Sequence, residues 1–302
     1  MTSGPFILTR VGDRPARSPN PLLSVWAWEL RRVAARRLSW VLALAAFLFF
    51  AGMVQFKHAW SLGRESGVPF VIYGTSGVGV LYLFVNVLMF VFALILPFVV
   101  AEGVAADYRR RLHELLMATP IPGWAYVWGR FLAVLTLGLG LAVLMALAYL
   151  LMGFVLHQRN AVYPLPAPGN VLVVWLVLVL PATLLIAGLG FSLGTLFPRR
   201  ARVMVLGLLI AWMLLFTVGD ILGINPTGNV MVLAVTPGLI QGAQQQLAGL
   251  PADQQVQLML QAQARLPDLA PFVLPQYALA AAGVALVAGT AALFRRFRQL
   301  MG

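Results

Sequence analysis

Glu102, Asp107, Arg109, Arg110, Arg111, His113 and Glu114 stand within thirteen consecutive residues, between two long apolar runs. They bring three of the chain's nine acids into one short stretch. Charge concentrated in this way, in a chain with only 10% charged residues, suits a surface that contacts something outside an apolar environment. It does not suit bond-making chemistry. His58, His113 and His157 are isolated from one another, so no pair of metal ligands falls at helical spacing. A P-loop needs a lysine directly after glycine to reach nucleotide phosphates, and the sole lysine, Lys57, follows Phe56. No Gly-x-Ser-x-Gly elbow or zincin motif is present, and cysteine is absent, which removes disulfides, thiol nucleophiles and cysteine metal sites. The residues therefore point away from an enzyme, with no catalytic group, no metal site and no cofactor held by this chain.

The elements that carry this stretch are apolar. With 61% hydrophobic residues and a mean hydropathy of +0.89, the sequence reads as an all-α integral membrane protein. Six segments are long enough to cross ~30 Å of hydrocarbon as helices. They are expected at about 38–56, 78–101, 131–156, 171–197, 203–224 and 276–294. Residues 1–20 read as a flexible cytoplasmic arm and 21–302 as a single transmembrane domain. The first span lacks a small-residue cleavage site at a suitable distance and reads as a retained anchor.

Alternate loops differ sharply in charge. Of the 21 Lys and Arg residues, seventeen fall on one side: seven in the N-terminal arm, four between 102 and 130, Arg199, Arg200 and Arg202, and Arg295, Arg296 and Arg298. Only Lys57, Arg64, Arg159 and Arg265 fall on the other. Cationic loops are retained in the cytoplasm, so both termini and the charged stretch are expected there, with the protein in the plasma (inner) membrane. The net charge of +12 sits beside apolar runs and not on a separate basic domain, which argues against nucleic acid as a partner.

Residues 22–37 place Leu23, Trp26, Leu30 and Val33 on one helical face, with Glu29, Arg32 and Arg36 opposite. Such a helix would lie along the cytoplasmic interface with its tryptophans at headgroup depth, where membrane lipid is a partner. A basic anchor that only sets topology is equally compatible. The loop at about 225–275 is rich in proline and glutamine; Val256, Met259, Leu260 and Leu266 predict a short amphipathic helix in it. Its apolar piece Val230 to Ile240 either dips back into the membrane as a cap or connects spans on the outer surface.

Inside the spans, Asn86, Thr136, Tyr149, Thr183 and Ser192 form the polar set, of the kind that more often bonds a neighbouring helix than a substrate. Pro97 and Pro181 interrupt spans, and Gly188, Gly190 and Gly194 with Ser192 give one span a small-residue surface suited to close packing or sliding.

Asp107 to Met117 can form about three helical turns, with Leu112, Leu115 and Leu116 on one side. Thr119-Pro120-Ile121-Pro122 then stops the helix before Trp124 and Trp128 lead into the next span. From residues alone, a lever that transmits a push and a loop that merely enforces topology are evenly matched. The run Glu102, Arg109 to Arg111, Leu112-His113-Glu114-Leu115-Leu116-Met117-Ala118-Thr119-Pro120-Ile121, then Trp128-Gly129-Arg130-Phe131-Leu132-Ala133 resembles the first cytoplasmic loop of type-2 ATP-binding-cassette (ABC) exporter permeases. The pattern departs where Arg110-Arg111 replaces a common Gly-Thr and where Pro122 replaces a frequent serine.

The resemblance implies a six-helix permease with an N-terminal amphipathic interfacial helix and a cytoplasmic coupling helix between spans 2 and 3. Its partners would be ABC ATPase subunits, holding ATP and Mg, and a second permease copy or paralogue. Glu102, Arg109, Arg110, Arg111, Glu114, Leu115, Thr119, Pro120 and Arg130 would couple to the ATPase, Arg130 standing in for the family's usual lysine. The implied activity is export of a hydrophobic or lipid-like substrate. A competing reading is a non-ABC scaffold or channel subunit whose basic loops bind anionic lipid.

Overall fold

The computed structural model describes residues 20–55, 72–87, 121–161, 163–197, 200–222 and 249–301, with isolated positions between 228 and 245. All regular structure among the described residues is helical. The elements are α1 (Pro21–Ala34), α2 (Arg37–Gln55), α3 (Gly77–Val87), α4 (Gly123–Arg159), α5 (Pro168–Leu196), α6 (Ala201–Leu222), α7 (Ala252–Ala264) and α8 (Ala270–Met301). By length and composition, α4, α5 and the Ala270–Leu293 part of α8 can each cross a membrane. Helices α2 and α6 occupy the positions expected for spans at 38–56 and 203–224, and α3 begins where the span at 78–101 was expected.

Local chemistry sets the helix ends. Asn20 accepts the Leu22 amide (3.1 Å) and Pro21 opens α1 at a position where its missing N–H costs nothing. At the other end the Trp40 indole donates to the Ala34 carbonyl (2.9 Å), satisfying a terminal acceptor across the break between α1 and α2. The two helices meet at a bend of 74°. Helix α4 has 37 residues, about 55 Å at 1.5 Å per residue, well beyond the ~30 Å hydrocarbon layer. Its ends must therefore stand outside that layer, and the stretch from Gly123 precedes the apolar span expected from 131.

Aromatic contacts tie the helices together. Phe50 of α2 meets Phe84 of α3 at 5.4 Å between ring centroids, and Phe84 meets Tyr149 of α4 at 6.4 Å. Lower on α4, Phe131 packs against Phe191 of α5 at 6.1 Å. All five rings are buried, and each pair adds to the area it removes from lipid or water.

Pro181 does not break α5. The helix widens to a π turn at Trp175–Val179, where the Leu180 amide bonds to the Trp175 carbonyl. In that register the Leu176 carbonyl would look to Pro181, which has no N–H to give. The Tyr277 hydroxyl of α8 supplies the bond instead, at 3.1 Å. Farther along the same pair of helices, Gly188 and Gly283 make the close approach expected of the small-residue surface. A Cβ on Gly188 would sit 2.4 Å from the Gly283 oxygen, so the backbones meet where neither helix tolerates a side chain.

Three other expectations meet the structure. The 225–275 loop does contain a helix, α7, and Met259 on it is buried in a small cluster with Ile72, Val78 and Tyr82. Two residues of that loop lie inside the bundle: Met231 is fully buried, and a Cβ on Gly228 would be 2.6 Å from Leu178 Cδ1. Leu178 is about 15 Å along α5 from its first residue, and the φ of +78° at Gly228 favours glycine there. Helix α1, by contrast, departs from expectation at one position. Glu29 was expected on the water-facing side, but it is 5% exposed. The physical reason is a buried countercharge on α4.

Candidate functional site

Two residues of α1 a helical turn apart, Val25 and Glu29, face the first turns of α4. The approach is possible because position 129 is glycine: a Cβ there would be 2.8 Å from Val25 Cβ and 2.9 Å from the Leu22 carbonyl oxygen. With the helices this close, Glu29 Oε1 pairs with Arg130 Nε at 2.6 Å, and Glu29 Oε2 pairs with Arg32 at 2.7 Å. Arg130 is 3% exposed. Its guanidinium also donates to the Tyr126 hydroxyl one turn earlier and lies 5.2 Å from the centre of that ring. One turn and a half up the helix, the Trp26 indole donates to Thr136 Oγ1 at 3.1 Å, while Thr136 donates to the Leu132 carbonyl.

This joint has consequences for how force can travel. A buried ion pair contributes little net stability, because desolvation offsets attraction, but it fixes geometry strongly since breaking it strands a charge. Glu29, Arg130, Tyr126, Gly129 and the Trp26–Thr136 bond therefore lock α1 to the root of α4. That root follows directly on the 102–122 stretch. The outer surface of α1 stays open: Leu23, Trp28 and Arg31 are exposed, and the Arg32 guanidinium lies 5.3 Å from the centre of the Trp28 ring.

Of the expected coupling residues, Arg130 is the one within the described structure, and it engages Glu29 and Tyr126 inside the protein. Glu102, Arg109, Arg110, Arg111, Glu114, Leu115, Thr119 and Pro120 lie outside the described residues, as do Lys57, His58, His113 and Pro97. Two of the polar interior residues serve helix contacts, the Ser192 hydroxyl is buried without a hydrogen-bond partner among the described residues, and the Asn86 side chain lies outside them. Thr136 bonds α1, Thr183 donates to the Val179 carbonyl of its own helix, and Tyr149 and Ser192 are buried. His157 Nδ1 is 2.7 Å from the Tyr163 carbonyl oxygen where α4 ends.

Sequence reasoning missed Glu29. The available signal was its isolation: it is the one acid in a segment otherwise basic, and Gly129-Arg130 supplies a gap and a countercharge at the start of α4. At the opposite end of the bundle a second buried polar contact was also missed. Gln263, fully buried on α7, accepts the Tyr73 amide at 3.0 Å, and Ser76 accepts the Gly79 amide at the start of α3. Burial, with Tyr163 beside it, holds the Tyr73 phenol above its ordinary pKa.

The family model described as ABC-2 family transporter protein matches residues 68–234, more than half of the 302-residue chain. The chain belongs to the ABC-2 transporter family. The matched range runs from before α3 to beyond α6 and includes the charged stretch that carried the resemblance. No curated protein matches the chain. As an ABC-2 protein it is a multi-pass membrane protein of the ABC-type permease class; the family is the membrane component of such transporters, not itself the ATPase, and typically works with ABC ATPase partners. The scaffold or channel alternative is not favoured by this membership.

Proposed function

We propose that this ABC-2 permease is one six-span half of an ATP-driven exporter, with both termini in the cytoplasm of a bacterial inner membrane. Two halves and two ATPase subunits would form the working unit, with ATP and Mg in the ATPases. The segment around Arg111 to Thr119 is the coupling helix. It moves with the ATPases when they close on ATP, and α4 follows through its root. The observation that supports this reading is the buried Glu29–Arg130–Tyr126 joint, which makes α1 and α4 move as one body directly after that segment. Alternating access of a cavity between two halves results.

Thr136 and Thr183 spend their hydroxyls on helix contacts and the described spans carry few charged groups, which favours an apolar or lipid-like cargo over ions. Glu102, Arg109, Arg110, Arg111, Glu114, Leu115, Thr119 and Pro120 present charge and an apolar ridge to the ATPase, and Arg130 positions the helix that receives the motion. Purification of the chain with its ATPase, followed by Glu114→Gln and Arg111→Gln, tests the scheme. The expected result is intact assembly with lost stimulation of ATP hydrolysis; unchanged stimulation in an intact complex would overturn it.

A further inference from the structure

At the end of the bundle away from α1, the first turns of α5 and α8 diverge around a crevice of about 680 Å³. The crevice is open along one side and not an enclosed pocket, a shape that suits a ligand lying along the surface. Val173, Val177, Leu269 and Val273 form its apolar wall, and Asn170, Arg265 and Asp268 carry its polar groups. One turn beyond Val273 on α8, Tyr277 closes the two helices together through its bond to the Leu176 carbonyl. Arg265 and Asp268 are both exposed, and one Asp268 oxygen accepts the Ala270 amide (2.9 Å), which fixes the carboxylate at the start of α8.

We infer that this crevice binds a phospholipid with an amine-bearing headgroup, drawn from the surrounding leaflet. The chemistry is ordered along the helices as it is along a phospholipid. Charged groups of both signs stand at the helix ends, and an apolar wall continues toward the middle of two helices apolar enough to cross a membrane. Exposed Leu172 and Leu274 stand next to its lining residues on the two helices, an apolar margin that suits acyl chains. Arg265 suits the phosphate and Asp268 the ammonium, while an acyl chain lies along Val173, Val177 and Val273. A lipid with phosphate but no amine would leave the Asp268 carboxylate facing the headgroup's negative charge. The inference needs only the membrane embedding of the chain and is independent of the coupling scheme.

The test uses the full chain in nanodiscs doped with phosphatidylethanolamine or phosphatidylglycerol carrying a photoactivatable acyl chain, with labelled peptides read by mass spectrometry. The ethanolamine lipid is expected to label peptides containing Val173–Val177 and Val273 above the lipid-facing background at Leu206. Arg265→Gln should lower that crevice labelling about fivefold, the loss of one basic contact near a membrane surface. Asp268→Asn retains a helix-capping side chain and should abolish the preference for the ethanolamine lipid. Val273→Trp, which fills the crevice from an exposed position, should remove crevice labelling while leaving Leu206 labelling intact. Equal labelling by both lipids in the parent chain, or labelling unaffected by Val273→Trp, would overturn the inference.

Discussion

Replacing Glu29 by leucine should damage the protein more than replacing Arg130 by methionine, and replacing both should damage it less than the two single changes added together. Glu29→Leu leaves Arg130, 3% exposed, without its carboxylate and with Arg32 still nearby. Removing one member of a buried pair costs about 3–5 kcal/mol. Arg130→Met leaves Glu29 its 2.7 Å contact with the partly exposed Arg32, so the cost should fall toward the lower end of that range or below it. In the double variant no buried charge is stranded, and an apolar pair of similar volume is often neutral. With roughly 2–4 °C of Tm per kcal/mol in chains of 150–250 residues, the Glu29→Leu shift should be about 6 °C or more. Thermal denaturation of the purified protein in one fixed detergent provides the cycle, and proteolysis between Ala34 and Arg37 reports detachment of α1. Shifts below 1 °C for both single variants, or strict additivity in the double, would refute the claim that the joint is a buried, mutually dependent pair.

Other changes test other seams. Gly188→Ala should destabilise strongly, by about 1–3 kcal/mol or more, because its Cβ meets backbone at 2.4 Å, whereas Gly140→Ala, with nothing within 4 Å, should be neutral or slightly stabilising in the same melting assay. Gln263→Ala removes the buried acceptor of the Tyr73 amide; a loss of about 1–3 kcal/mol should appear as faster proteolysis within α7. Tyr277→Phe should cost only about 0.6 kcal/mol, typical of hydrogen bonds between membrane helices, but should raise amide exchange in the π turn of α5.

Hydropathy located the helices well where lipid-compatible residues are continuous. The segment expected at 171–197 is helical from Pro168 to Leu196, and that at 38–56 from Arg37 to Gln55. It missed the root of α4, which starts at Gly123, because Trp124, Trp128 and Arg130 lower the apolar signal while backbone hydrogen bonding continues unbroken. Periodicity likewise misplaced Glu29. A helical wheel divides apolar from charged, but it cannot see that Arg130, more than a hundred positions away, makes a buried site hospitable to a carboxylate. Pro181 was legible as a breaker, yet the π turn and the Tyr277 hydroxyl that absorb it depend on a neighbouring helix and so leave no local signature. The glycine surface was legible for a simpler reason: small residues at one face have few uses other than close approach.

The absence of cysteine from this sequence makes the central claim directly measurable, since a thiol introduced here is the only one it contributes. Leu115→Cys, on the apolar ridge of the proposed coupling helix, can be crosslinked in the assembled complex of permease and ATPase. The expected result is a crosslink to the ATPase subunit whose yield changes when ATP is added, with no such crosslink from a cysteine at Leu250 beyond the opposite end of the bundle. A complex that assembles and hydrolyses ATP but gives no Leu115→Cys crosslink, or gives one equally from Leu250, would contradict the assignment of residues 102–122 as the point where ATP-driven motion enters the membrane domain.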